Sequence, residues 1–311
     1  MSRILLLVVT IILCFNPCAL AWETRQYNDR LLLRYPDKQL NKALGLAKIF
    51  EERRQFLTEY FNKDFPWPTE LVLCATESQF KTEVTGLGHL PVAAIAQPDK
   101  GKIVINLPRS EGLYISEISN VIAHEICHLI YWEFGLEAAA AQPGRLSPRA
   151  PLWFNEGIAC WLAGVDIYIN DEILLEARSR QALLTLDELW DSFPRDTWKF
   201  KLAYAQSKDF VRYIHMQTRH KTIPHILQEY ARSGDFEEAV RKVTGTRLAD
   251  LYFGWKVSLP RTYLPVTKWF QNSYLLMFAS VLVLLAVLKI RRRNRHIREK
   301  WQFEDSFSVG D

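Results

Sequence analysis

Cysteine is scarce in this chain. The 311 residues include five cysteines, and two of them, Cys14 and Cys18, lie within the first 21 residues. The other three are Cys74, Cys127 and Cys160, and an odd, sparse set of this kind is not a disulfide framework. We therefore expect each of these three to be a small, buried, apolar side chain. A Cys127–Cys160 disulfide is the weaker alternative.

The body of the chain also lacks net charge. The sequence has 39 basic and 35 acidic residues, which gives a formal charge of +4. Arg3 supplies one positive charge, and residues 289–311 hold seven basic and four acidic residues. The rest of the chain is balanced, with 31 residues of each sign. The isoelectric point near 8.7 therefore comes from the tail, and no nucleic-acid partner is expected.

The first 21 residues are typical of a secretory signal peptide. Arg3 forms a positively charged start, and an apolar run from Ile4 to Leu13 follows it. Ala19-Leu20-Ala21 has the small residues of a cleavage site, so the mature chain would begin at Trp22. An uncleaved membrane anchor is the alternative interpretation.

An uncharged stretch near the other end is long enough to span a membrane. Trp269–Leu288 contains twenty residues without a charge, and a helix of that length covers about 30 Å, the thickness of the hydrocarbon core. Basic residues follow at once, and positive flanks stay in the cytoplasm. We therefore expect a single-pass protein with a cytoplasmic tail at 289–311 and a body outside the cytoplasm, periplasmic or on the cell surface.

The body has no internal repeat, and its patterns predict an α+β fold. Region 22–109 mixes short strands with one long helix, and region 110–268 is mainly helical. We expect a small mixed sheet packed on an active-site helix, followed by a mainly helical lobe. Strands are predicted at 30–35, 70–75, 92–97 and 102–107, and helices at 37–61, 117–135, 152–163, 187–193, 201–217, 224–233, 236–243 and 248–259.

The pentapeptide His124-Glu125-Ile126-Cys127-His128 points to a specific chemistry. Two histidines four residues apart lie on one face of a helix, where both can bind one zinc ion. The glutamate between them can reach a water at the metal. A hydrolytic zinc site has three protein ligands. Glu156 is the best candidate for the third, because the proline-bearing loop before its helix can turn that helix back against the first.

The pentapeptide, followed by Asn155-Glu156-Gly157 on a second helix, resembles the gluzincin metallopeptidases, and most closely the peptidase MA-like type. The resemblance extends over about Val92 to Leu259 and includes a counterpart of Tyr204-Ala205-Gln206-Ser207. It is specific at the two helices and loose elsewhere. It implies a small sheet above the active-site helix, with an edge strand that pairs with the substrate backbone. Either Val92–Gln97 or Lys102–Leu107 would be that strand.

The resemblance also implies roles for matching residues. His124, His128 and Glu156 would bind Zn²⁺. Glu125 would take a proton from the attacking water and pass it to the leaving amine. Tyr204 would donate a hydrogen bond to the developing oxyanion. Tyr213 is a nearby alternative to Tyr204, and His215 is either a second donor or a surface residue.

Two departures from the gluzincin pattern matter. Some gluzincins have an aspartate four residues after the third ligand, where it orients a zinc histidine, and this chain has Cys160 there. Asp166, Asn155 or a backbone carbonyl would then replace it. The Gly-x-Met-Glu-Asn string of the aminopeptidase branch is absent, which favours an endopeptidase.

The sequence therefore favours a membrane-anchored zinc peptidase that hydrolyses peptide bonds in a peptide or protein substrate. The alternative is a catalytically silent, metal-stabilised binding or scaffold module tethered to the membrane. A variant that lacks the carboxylate of Glu125 separates the two, since only the peptidase needs it. The side chains Trp153 and Phe154 beside the motif are expected to pack in the core.

Overall fold

The computed structural model describes residues 21–84, 92–142, 150–164, 171–217, 222–260 and 273–307. The chain divides into two compact units, residues 1–261 and residues 262–311. The predicted signal peptide, apart from Ala21, lies outside the described residues, so its assignment stays a prediction.

A five-stranded mixed sheet forms one layer of the first unit. Its strands are β1 (Trp22–Asn28), β2 (Leu31–Pro36), β3 (Thr69–Cys74), β4 (Ala94–Gln97) and β5 (Lys102–Asn106). Their order in the sheet is β1-β2-β3-β5-β4, in which β2, β3 and β5 run parallel and the two edge strands are antiparallel to their neighbours. Gly101 has a φ of 58° and closes the turn between β4 and β5. Two helices lie between these strands along the chain, α1 (Leu40–Phe61) after β2 and α2 (Glu77–Glu83) after β3.

The four predicted strands are present, and the α+β class is confirmed. β1 was not predicted, because six of its seven residues are exposed and its sequence shows no apolar alternation. The short helix α2 was also missed. Thr76 caps it by accepting a hydrogen bond from the Gln79 N–H at 3.1 Å. This cap is a local signal, but a helix of seven residues is too short to show a clear apolar periodicity.

Eight further helices lie in the described part of the first unit after β5. They are α3 (Leu107–Ser110), α4 (Ile115–Ala141), α5 (Leu152–Ala163), α6 (Asp171–Ser179), α7 (Thr197–Gln217), α8 (Thr222–Ser233), α9 (Phe236–Thr244) and α10 (Leu248–Ser258). The predicted end of α4 at Gly135 is wrong. The helix continues because Ala138 extends its buried face beyond the glycine. The predicted helix at 187–193 is only a 3-10 turn at Asp187–Leu189.

The core of the first unit is continuous across the predicted boundary between residues 109 and 110. Ile103 and Ile105 on the inner face of β5 belong to the same buried cluster as Ile122 and Ile126 of α4. Alternate residues of the strands point to the other face, where Val104 joins a smaller cluster under α2. The long helix α4 is thus held between the sheet and the helical region, with one side buried against each.

The second unit contains α11 (Ser273–Phe307). Its large apolar side chains between Met277 and Ile290 are exposed. In the described part of the chain, none of the helices offers an apolar window of the length that crossing a membrane requires. The predicted span begins at Trp269, outside the described residues, so it stays a prediction.

Candidate metal centre

Helices α4 and α5 bring the three predicted metal ligands to one point. The Glu156 carboxylate Oε2 lies 3.4 Å from the His124 Nε2 and 3.7 Å from the His128 Nε2. The ligand atoms of all three residues lie within 4.8 Å of one another. The two imidazole rings are one helical turn apart, with centroids 4.7 Å apart. The convergence follows from the four-residue spacing on α4 and from the packing of α5 against α4.

This donor set fits zinc. The buried Glu156 Oε2 makes no hydrogen bond to any described residue, although two imidazole nitrogens face it. A buried carboxylate oxygen destabilises the folded state unless a cation or a hydrogen-bond donor lies next to it. Two imidazoles and one carboxylate are a ligand set of catalytic zinc sites, and three protein ligands leave a fourth position open.

Residues of α5 hold the far nitrogens of both histidines. Asn155 Oδ1 lies 2.9 Å from the His128 Nδ1, and the Cys160 Sγ lies 3.8 Å from the His124 Nδ1. An acceptor at Nδ1 selects the tautomer that leaves the Nε2 lone pair free for a metal. Asn155 was one of the predicted partners, whereas Asp166 lies outside the described residues. Burial raises the pKa of the Cys160 thiol, so His124 has a neutral, weak acceptor.

The charges of the centre favour an ionised Glu156 and a protonated Tyr204. Burial alone would raise the pKa of Glu156, but the charges of His128 and His124 outweigh burial and lower that pKa. Burial raises the pKa of Tyr204 far above its usual value, and the neighbouring Glu156 carboxylate adds to the rise. Tyr204 therefore keeps its proton and can act as a donor at neutral pH.

Glu125 lies between the metal ligands and the edge of the sheet. Its side chain is buried, and its Oε2 accepts a hydrogen bond from the Ala96 N–H of β4 at 2.6 Å. Of the two predicted candidates for a substrate-pairing strand, Ala94–Gln97 is at the edge, and Lys102–Asn106 is paired on both sides. The contact with Ala96 was not predicted. The pairing of β4 with β5 decides that this N–H points toward α4, and the sequence does not show that pairing.

Gly157 allows α7 to approach α5. A Cβ atom at this position would lie 2.5 Å from the Ser207 carbonyl oxygen and 2.7 Å from the Val211 Cγ2. Only a residue without a side chain permits such a short distance between the helices. Because Ser207 is one turn after Tyr204, the glycine of the Asn-Glu-Gly string places the tyrosine beside Glu156.

The other residues considered from the sequence lie elsewhere. The Tyr213 hydroxyl oxygen is 2.7 Å from where a Cβ of Gly254 would be, so it points at α10. The His215 ring packs on Trp161, with centroids 4.5 Å apart. Trp153 and Phe154 are fully buried in the core, as predicted. Cys74, Cys127 and Cys160 are buried and free, so the disulfide alternative is wrong.

The fold and this centre define a metallopeptidase-like domain. A family model described as the peptidase MA superfamily matches residues 92–261, more than half of the chain, and the chain belongs to this superfamily. The match begins just before β4 and ends just after α10, and it includes all the residues of the centre.

Two solved structures are similar to the chain. Legionella pneumophila aminopeptidase A, in complex with aspartic acid, is 14% identical, with a TM-score of 0.43 over 76% of this chain and 27% of that one. A variant of the M1 zinc metallopeptidase of Deinococcus radiodurans is 13% identical, with a TM-score of 0.34 over 78% of this chain and 52% of that one. The chain thus spans about a quarter of the first protein and about half of the second. None of the curated proteins matches it.

Proposed function

We propose that the protein is a zinc-dependent peptidase that hydrolyses peptide bonds. The observation that carries this proposal is the convergence of His124, His128 and Glu156. The buried Glu125 directly follows His124 on α4. A zinc ion held by the three ligands supplies a Lewis acid that polarises the scissile carbonyl and makes a water molecule more acidic. Membership of the peptidase MA superfamily supports the same activity.

Glu125 is proposed as the general base. Its Oε2 is held by the Ala96 N–H at 2.6 Å, which fixes the carboxylate in one orientation beside the histidines. A carboxylate fixed in this way can accept a proton from the attacking water and later pass it to the leaving amine. The N–H from the edge strand therefore orients the base at no further conformational cost.

Tyr204 is proposed as the donor to the developing oxyanion. Burial and the neighbouring Glu156 carboxylate raise its pKa, so the hydroxyl keeps its proton at neutral pH and can donate a hydrogen bond to a substrate oxygen. The edge strand β4 is proposed to pair with the substrate backbone, since one side of it carries no strand among the described residues. Together they would align a peptide between the sheet and α7.

The finer features of the proposal rest on the sequence. The missing Gly-x-Met-Glu-Asn string favours an endopeptidase. The uncharged stretch Trp269–Leu288, the exposed apolar side chains of α11 and the basic tail at 289–311 support a C-terminal membrane anchor. In that topology, the catalytic unit lies outside the cytoplasm and the tail lies inside it.

The test compares two glutamates of the same helix. Glu125→Gln in the full-length protein should abolish hydrolysis of casein or peptides while zinc content stays near one ion per chain. Glu133→Gln is the matched control, because Glu133 is also on α4 and is equally exposed, at 7%. If the Glu125→Gln protein were as active as the parent, the mechanism would be wrong. A cellular function kept by this variant would favour the scaffold alternative.

A further inference from the structure

Two half-buried phenylalanines lie against the tyrosine of the metal centre. The Phe193 ring packs edge-on against Tyr204, with centroids 5.0 Å apart, and the Phe200 ring does so at 5.1 Å. Both rings keep part of their surface exposed. Phe200 and Tyr204 are four residues apart on α7 and therefore lie on the same face, one turn apart. The result is a partly exposed aromatic surface beside Tyr204.

The first turn of α7 is fixed by one side-chain and one backbone hydrogen bond, both accepted by Asp196. The Asp196 Oδ1 accepts from the Lys199 N–H at 2.9 Å, and the Phe200 N–H donates to the Asp196 carbonyl at 2.7 Å. A capped first turn holds the side chains that follow it in place. The Phe200 ring is therefore positioned relative to Tyr204 before any ligand arrives.

The segment that carries Phe193 is tied to both helices of the centre. Leu184 exchanges hydrogen bonds with the buried Gln206 of α7, at 3.0 and 2.6 Å. The Trp190 carbonyl accepts from the Leu152 N–H, at the start of α5, at 2.7 Å. Phe193 thus lies on a segment anchored to the Glu156 helix and to the Tyr204 helix, so little ordering remains to be done on binding.

We propose that Phe193 and Phe200 form a specificity site that accepts a large apolar or aromatic side chain of the substrate, at a residue adjacent to the scissile bond. This proposal rests on the peptidase function proposed above. Pairs of aromatic rings and apolar side chains are stabilised by burial and by edge-to-face contact. A substrate side chain that covers both rings also closes the surface beside Tyr204 to water. The two phenylalanines act by binding and not in the chemical step.

The test uses pairs of peptides that differ only in having phenylalanine or alanine on one side of the scissile bond. The parent should prefer the phenylalanine peptide by about tenfold or more in kcat/KM. Phe200→Ala and Phe193→Ala should each reduce this preference severalfold, and Phe200→Leu should retain most of it. Phe56→Ala is the control, because Phe56 is a 50% exposed phenylalanine on α1. Zinc content checks that each variant is folded.

Two outcomes would overturn the proposal. One is a parent that cleaves both peptides equally well. The other is a Phe200→Ala protein in which kcat falls but the preference stays, since the ring would then only position Tyr204.

Measurements of peptide binding distinguish a failure of the specificity site from a failure of the proposed peptidase function. The Kd of both peptides is measured with the Glu125→Gln protein, with and without Phe200→Ala. If no peptide is hydrolysed, but the phenylalanine peptide binds more tightly and this advantage requires Phe200, the specificity site stands and the peptidase function fails. Equal binding of the two peptides would refute the specificity site independently of activity.

Discussion

Replacing Gly157 by alanine tests whether the close approach of α5 and α7 builds the site. The added Cβ would lie 2.5 Å from a backbone oxygen of Ser207, and a backbone atom cannot rotate away as the end of a side chain can. Overpacking of this kind typically costs about 1–3 kcal/mol, and contact with backbone on the facing helix places it toward the upper end. Alanine regains about 1 kcal/mol of helix propensity. The net loss of stability is therefore about 2 kcal/mol.

Gly135→Ala is the matched control, and its predicted effect has the opposite sign. Gly135 lies inside α4, and a Cβ there meets no atom within 4 Å. The substitution should therefore only add helix propensity, up to about 1 kcal/mol. For a unit of this size, 1 kcal/mol corresponds to about 2–4 °C in Tm.

Thermal unfolding of the full-length protein, monitored by circular dichroism, measures both effects. We expect Gly157→Ala to lower the Tm by about 4–8 °C and Gly135→Ala to raise it by about 2–4 °C. The Gly157→Ala protein should also lose hydrolytic activity, because the two helices must separate and Tyr204 moves away from Glu156. Equal Tm values for the two variants would refute the argument that contact between the helices sets the position of Tyr204.

Three further predictions concern the two histidine partners and the ion pair between Arg34 of β2 and Glu83 of α2. Asn155→Ala should weaken zinc binding about tenfold or more, because the His128 Nδ1 loses its hydrogen-bond acceptor. Cys160→Asp should strengthen zinc binding, because it gives the His124 Nδ1 a charged acceptor. Competition with a chelator measures the zinc affinity of both variants. Unchanged affinities would mean that helix geometry alone orients the rings. Hydrogen bonds from Arg34 lower the pKa of Glu83, so the pair stabilises the fold fully above the unfolded-state pKa of about 4.3, and this contribution is lost as the pH falls through the lower folded-state pKa. Glu83→Gln should therefore make the Tm fall less steeply as the pH is lowered below about 4.3. If the Tm of this variant fell with pH as steeply as that of the parent, the ion pair would not be a source of this pH dependence.

Four of the five strands and most of the helices could be predicted from the sequence, because apolar periodicity is a local property. β2, β3 and β5 have buried side chains that the composition of each segment already indicates. β1 could not be predicted in this way. Its residues are mostly exposed, and only hydrogen bonding to β2 makes it a strand. The end of α4 was misplaced because Gly135 weakens a helix locally, whereas packing of the residues beyond it decides whether the helix continues.

The sequence by itself predicted the three candidate metal ligands, and the structure brings them together. The four-residue spacing of His124 and His128 places both rings on one helix face whatever surrounds it, and Glu156 follows within a recognisable string. Only the tertiary structure decided that β4 is the edge strand, that the Ala96 N–H holds Glu125, and that Phe193 lies against Tyr204. These contacts join elements separated along the chain. They depend on how the sheet and helices pack, and no local pattern of residues encodes that packing.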